Sequence, residues 1–134
     1  MPDRVLADDN RREEFPLFDG LFAYFPAALC EVARWSRVGN MKHNGPDSPL
    51  HWSREKSTDH QNKILRHLLD YDHVEANGFL EAVPLAWRAL ALAQTELEKH
   101  GWAEGRNAQW QRTKTGVVYP CTIDPVKFPN LVVD

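Results

Sequence analysis

The chain of 134 residues is expected to be all-α, a helical bundle ending in a short irregular or β tail. Three features predict this. Apolar residues recur at helical spacing in three segments, Gly, Asn and Pro punctuate the stretches between them, and β-branched residues gather near the C-terminus.

Residues 1–14 are polar and charged and read as a solvated N-terminal arm. Phe15, Phe18, Phe22, Tyr24 and Phe25 follow, broken by Pro16 and Gly20, which suggests a packed lead-in with one short helical turn. A first helix is predicted from Pro26 to Val38, with Pro at its first position and Gly39-Asn40 at its end. Residues 40–56 contain Gly45, Pro46 and Pro49 and read as a loop rich in His, Lys and Arg around Trp52. A second helix is predicted from Ser57-Thr58, which can cap it, to about Asp72.

Asn77-Gly78 marks a turn, and a third helix is predicted from Phe79 to Lys99. Between Ala82 and Ala93 it is apolar on nearly every side, so it must be covered all round. Two other helices are too few for that, and a subunit interface is expected. Residues 15–99 thus form the core. Residues 100–134, with Thr115 to Ile123 β-branched around Pro120, form a tail suited to one short strand or hairpin and to gripping a neighbouring subunit.

The net charge of −3 gives no field that would draw the chain to nucleic acid or to an acidic membrane surface. No stretch approaches the roughly 20 apolar residues needed to span a bilayer. Met1 to Glu14 lack the apolar centre of a signal peptide, and Cys30 and Cys121 fit no ligand spacing; a reduced, cytoplasmic setting is the simple expectation. The phosphate-cradling and dinucleotide-binding glycine motifs are absent from the sequence, as are zinc-deaminase and Ser or Cys nucleophile motifs.

Several charged residues need a reason. On a helical wheel Glu31 lies inside the arc of Ala27, Ala28, Val32, Trp35 and Val38. A lone carboxylate there costs several kcal/mol unless it is paired with an Arg from another helix or bound to a cation. On the second helix Asp59, Lys63, Arg66 and Asp70 share a face opposite Ile64, Leu65, Leu68, Leu69 and Tyr71, with His60 and His67 at the border. These are ordinary i,i+4 ion pairs, or His67 and Asp70 converge on one ion. Arg88, alone in its apolar run, is expected to face something anionic, either Glu81 or a phosphate. Asp70, Asp72, Glu75 and Glu81 crowd around one turn, a density that suits Mg²⁺ or Mn²⁺ and equally an ordinary wet turn. Lys42, His43, His51, Arg54 and Lys56, with Trp52 among them, can hold phosphates while a base stacks on the ring.

Three blocks carry a family resemblance: PLFDGLFAYFPAALCEVARWSRVGNMKHNGPDSPLHW, SREKSTDHQNKILRHLLD and AWRALALAQTELE. From about Phe15 to Glu98 the chain resembles the phage dATP/dGTP diphosphohydrolase-like proteins within the MazG-like all-α pyrophosphohydrolases, the MazZ-type (d)GTP diphosphohydrolases among them. The resemblance implies paired helices whose acidic side chains hold two or three Mg²⁺ or Mn²⁺ ions that bind a nucleoside triphosphate, and the expected subunit interface makes the chain a homodimer or homotetramer. The implied reaction is cleavage of dGTP, GTP or dATP to the monophosphate and pyrophosphate, in phage nucleotide metabolism and hence in the host cytoplasm.

By the resemblance, Glu31, His67 and Asp70 hold the metals with Asp59 or Glu81 assisting, Glu31 and Asp70 being the catalytic carboxylates. Lys42, His43, Asn44, His51, Trp52, Arg54, Lys56 and Arg66 are the implied substrate contacts. Two positions depart from the broader pattern: Arg34 stands where a second Glu is expected, and His67 replaces another Glu. The alternative expectation is a non-catalytic nucleotide-binding or regulatory bundle.

Overall fold

Pro26 opens the first helix as expected, but the helix runs through Gly39-Asn40 to Asn44 (α1, Pro26–Asn44). In the computed structural model, which describes residue 6, residues 9–56 and 58–105, and the pairs 112–113 and 116–117, tertiary bonding explains the extra turn. Asn40 is buried, and its side chain donates to the Ser48 carbonyl while accepting from Asn44 Nδ2 and the His51 backbone N–H. One side chain therefore fastens the end of α1 to the returning loop. The helix stops at Gly45, whose φ of 100° and ψ of 156° suit glycine alone.

Ahead of α1, residues Asp9–Glu14 of the expected solvated arm form a 3-10 helix with Arg12 to Glu14 exposed, and Phe18–Phe22 form one wide turn closed by Ala23 N–H on the Phe18 carbonyl. Phe15 sits edge-on to Trp102, tying this lead-in to the chain that follows the third helix.

After a 3-10 turn at Arg54–Lys56, the second helix begins later than predicted (α2, His60–Leu69). Asp59 occupies the cap position in the left-handed region, and its side chain bonds no helix amide. Thr58 is therefore not the cap, and Ser57 lies outside the described residues. The helix ends at Leu69 with Asp70 as its C-cap, short of Asp72.

The chain reverses through Asn77-Gly78 as expected. Val74 bridges Leu80, Glu75 N–H bonds the Phe79 carbonyl, and the Asn77 side chain accepts the Phe79 N–H. Gly78, at φ 86°, supplies the positive dihedral that a tight turn of this kind needs. Phe79 to Glu81 belong to this hairpin, and the third helix follows it (α3, Ala82–Lys99).

The fold is all-α, with α3 packed against both α1 and α2. Phe79 is the buried hinge between elements: Trp35 of α1 meets its ring edge-on at 4.9 Å, and the Arg34 guanidinium lies 3.7 Å from the ring centre. Burying one such ring contributes about 1.5–3 kcal/mol. Trp87 of α3 donates to the Ser36 hydroxyl of α1 at 2.8 Å and packs on Trp52 of the loop.

The direction of α2 departs from expectation. His60, Lys63, Ile64 and His67 turn toward α3, whereas Leu65, Leu68 and Leu69 stay outside, Leu69 at 82% exposure. The inward stripe is polar because it meets Glu81 and the loop, leaving the leucine face uncovered in a single chain. Leu90, Ala93 and Leu97 of α3 are likewise exposed. Beyond α3, β1 (Arg112–Thr113) and β2 (Gly116–Val117) pair antiparallel, with Arg112 opposite Val117 and Thr113 opposite Gly116. The remainder of the expected Thr115 to Ile123 strand, including Pro120 and Cys121, lies outside the described residues. No single helix among those described is long and apolar enough to cross a membrane.

Candidate functional site

The hairpin between α2 and α3 is only as long as its Asn-Gly turn allows. Glu81 N–H bonds the His73 carbonyl and Ala82 N–H the Tyr71 carbonyl, so the backbone on both sides is pinned. Glu81, at the N-cap of α3, is thereby held against the last turn of α2, where His67 Nδ1 lies 2.5 Å from its Oε2. Glu75, on the other limb of the turn, hydrogen-bonds to the same carboxyl. His73 Nε2 stands 4.0 Å from Glu75 Oε1, and the Asp70 charge also bears on Glu75.

Two carboxyls at hydrogen-bond distance cannot both be ionised cheaply. The bond to Glu81, then burial and the Glu81 charge, push the Glu75 carboxyl up, which makes it the donor. Burial also pushes Glu81 up, but the hydrogen bonds from Glu75 and His67 outweigh it and hold that carboxyl below its ordinary value. Glu81 is thus the more acidic of the two carboxyls, placed between Glu75 and the His67 imidazole. Among the described residues, no three His, Cys, Asp or Glu side chains are set as a metal-ligand group. Taken singly, Glu75 and Glu81 offer oxygen and His67 nitrogen, donor types that divalent ions accept.

Glu31 is placed differently from its expectation. It is 40% exposed at the side chain and is gripped by Arg34 of its own helix, not by an Arg of another helix. The two bonds measure 2.9 and 2.7 Å, and the bond to Arg34 holds the Glu31 carboxyl below its ordinary value. The arc around it is not a buried face, because Ala27 and Ala28 are exposed in one chain. Arg34 touches Phe79, so this pair borders the hairpin. Asp59 and Asp70 cap opposite ends of a ten-residue helix, about 15 Å of rise apart, so Asp59 cannot assist at the same ion as Asp70.

The predicted substrate loop separates into parts with different roles. Lys42 and His43 are exposed on the last turn of α1. Asn44 bonds Asn40 and the His51 carbonyl and serves the loop rather than a ligand; the His51 residue is exposed. Arg54 is not a surface phosphate clamp. Its side chain is 0% exposed and forms a double hydrogen bond with Glu98, also 0% exposed, at 3.0 and 2.5 Å. Trp52 is covered on one face by Arg54 at 3.7 Å and lies against Trp87 at 5.1 Å, so it is no open stacking platform for a base. Arg66 is exposed on α2, and the Lys56 side chain lies outside the described residues.

Glu75 had been visible in the sequence only as one acid among several near the turn. Its pairing follows from a three-residue reversal, Ala76 to Gly78, which sets Glu75 opposite Phe79 and so diagonally across from Glu81 on the same face. His73 and the buried Asn40 carried no sequence signal of their own. No family model, curated protein or solved structure matches this chain.

Proposed function

We propose that this chain is a metal-dependent (deoxy)nucleoside triphosphate diphosphohydrolase acting on dGTP, GTP or dATP in phage nucleotide metabolism. The observation that carries the reading is the Glu75–Glu81–His67 group at the α2–α3 turn. Two neighbouring carboxyls that repel each other, beside an imidazole, are a donor set whose charge a Mg²⁺ or Mn²⁺ ion would offset. Glu81 and Glu75 supply its oxygens and His67 a nitrogen, with Asp70 at the edge of the group. The metal, when bound, supplies charge for the phosphate oxygens and acidifies water for attack at phosphorus. Lys42, His43 and His51, exposed on the loop side, are available to the polyphosphate.

A homodimer or homotetramer belongs to the same proposal. It is supported by the uncovered leucine face of α2 and by Phe18, Phe22, Tyr24 and Phe25, all exposed in one chain. Exposed apolar side chains of this size are what association removes from water.

The pairing of Glu31 with Arg34 favours a second reading, a nucleotide-binding or regulatory bundle without turnover. A product assay separates the two. Purified protein with Mn²⁺ or Mg²⁺ is offered each common nucleoside triphosphate, and pyrophosphate is distinguished from orthophosphate. Pyrophosphate release that falls about 100-fold or more in Glu81→Gln, with the fold intact by circular dichroism, supports hydrolysis. Metal-dependent nucleotide binding without product from any nucleotide refutes it in favour of the regulatory bundle.

A further inference from the structure

We propose that a second copy of this chain seats its α2 antiparallel on the uncovered face of α2, about a two-fold axis at Leu68, so that Arg66 of each copy pairs with Asp70 of the other. This pairing rests on the assembly proposed above and goes beyond it. It fixes which face meets which, and it brings Arg66 of the partner subunit to the edge of the carboxyl group at the α2–α3 turn.

The face is defined by the helix itself. At 100° per residue Leu65, Leu68 and Leu69 fall within one arc about 100° wide, and all three are at least half exposed. The opposite side of α2 is taken up by its contact with α3, so this arc cannot turn inward. Just beyond the helix Tyr71, Val74 and Leu80 are also exposed, the last two joined across the hairpin. Among the described residues only Phe79, Pro84 and Ala91 bury an apolar side chain fully. A single chain therefore has little core to set against the cost of ordering it. The partner present wherever this chain is present is another copy, and a surface that complements itself is what a two-fold pair requires.

The charges supply that complementarity. Arg66 and Asp70 flank the leucine arc on one side, roughly 100° and 140° from Leu65. Both are exposed, and among the described residues they form no ion pair with each other, although they stand four apart. Asp70 is the C-cap of α2, where the helix dipole disfavours a carboxylate, so a cation from outside is welcome there. In an antiparallel pair the same flank of both helices meets, and about a centre at Leu68 position 66 lies opposite position 70. Each copy then supplies one guanidinium and one carboxylate to two equivalent bridges. A parallel pair would set Arg66 against the Leu68 flank and leave Asp70 unanswered, so charge selects the orientation. The Asp70 carbonyl accepts the His73 N–H at 2.9 Å, which keeps Asp70 at the foot of the hairpin that carries Glu75 and Glu81. Arg66 of the partner subunit enters at that foot.

The test is charge reversal in the full chain, read by sedimentation across a concentration series. The wild type is expected to be at least dimeric at micromolar concentration. Arg66→Asp and Asp70→Arg each place like charges across the two-fold axis and should raise the dissociation constant about tenfold or more. Mixed in equal amounts, the two variants should recover wild-type association, because every bridge in a mixed dimer again joins opposite charges. Arg37→Asp, on exposed α1 surface, should leave association unchanged. If either variant fails to fold alone, the two are denatured and refolded together, and folded dimer that forms only in the mixture supports the pairing. A mixture no better than either variant alone overturns it, as do single variants that associate like the wild type. Those results leave the assembly and the hydrolase reading standing. A wild-type monomer overturns both the pairing and the assembly, and the product assay decides hydrolysis separately.

Discussion

Substituting Glu98 by Gln strands the Arg54 guanidinium in a place water does not reach. Both side chains are 0% exposed, and Arg54 gives Glu98 two hydrogen bonds, at 3.0 and 2.5 Å. Gln94 adds a third donor at 2.7 Å. Breaking a buried pair from one side costs about 3–5 kcal/mol, because an uncompensated charge remains. Total stabilities run about 5–15 kcal/mol, so the variant loses a large part of its margin. For a domain of this size, that corresponds to a fall in Tm of at least about 10 °C. Removing both charges with Arg54→Met and Glu98→Leu should recover most of the loss, since a well-packed apolar pair is close to neutral in such positions. Urea denaturation followed by circular dichroism measures all three variants. A loss below about 1 kcal/mol for Glu98→Gln would mean that the pair is solvated and does not anchor the loop to α3.

The remaining predictions are independent of that pair. His60 has a folded pKa below its ordinary value of 6.5, so the unfolded chain takes the proton first as pH falls. Stability should therefore be full above that value and decline as pH drops through it toward the lower folded pKa. Melting curves between about pH 5 and 8 should show a shallower slope for His60→Asn than for the wild type. Gly45→Ala should cost about 1–3 kcal/mol in urea denaturation, because φ 100° and ψ 156° suit glycine alone. The added Cβ would sit 3.5 Å from Ser48 Oγ, so the cost is conformational, and an unchanged midpoint would contradict the backbone geometry. On the proposed assembly, light scattering should give a dimer or larger, and Leu69→Lys should reduce its mass at equal concentration. A wild-type monomer across micromolar concentrations would remove that part of the proposal.

Helical periodicity placed all three helices, and Asn77-Gly78 located the reversal, because both signals are local. The ends of α1 and α2 were not legible. Gly39-Asn40 reads as a stop by propensity, yet Asn40 continues the helix because its side chain bonds Ser48 and His51. Thr58 reads as a cap, but the helix starts two residues later at His60, with Asp59 at the cap position. At the site, His67, Glu81 and the acidic turn were visible as residue types, whereas the partner of Glu31 was not, since it is Arg34 of the same helix. Arg54 looked like a surface phosphate ligand because its partner, Glu98, lies 44 residues away, beyond any sequence window. The inward polar stripe of α2 was hidden for the same reason, its neighbours being supplied by α3.

The reversal between α2 and α3 acts as a ruler. Asn77 fixes the Phe79 amide, the Phe79 carbonyl receives the Glu75 amide, and Glu81 follows two residues later at the head of α3. The number of residues in this short span sets the gap between two acids and thereby how strongly each perturbs the other. Adding one residue at Gly78 would let the acids drift apart and titrate as strangers, leaving the helices themselves in place. Loop length, more than the choice of acids, is then the parameter through which such a hairpin adjusts its appetite for positive charge.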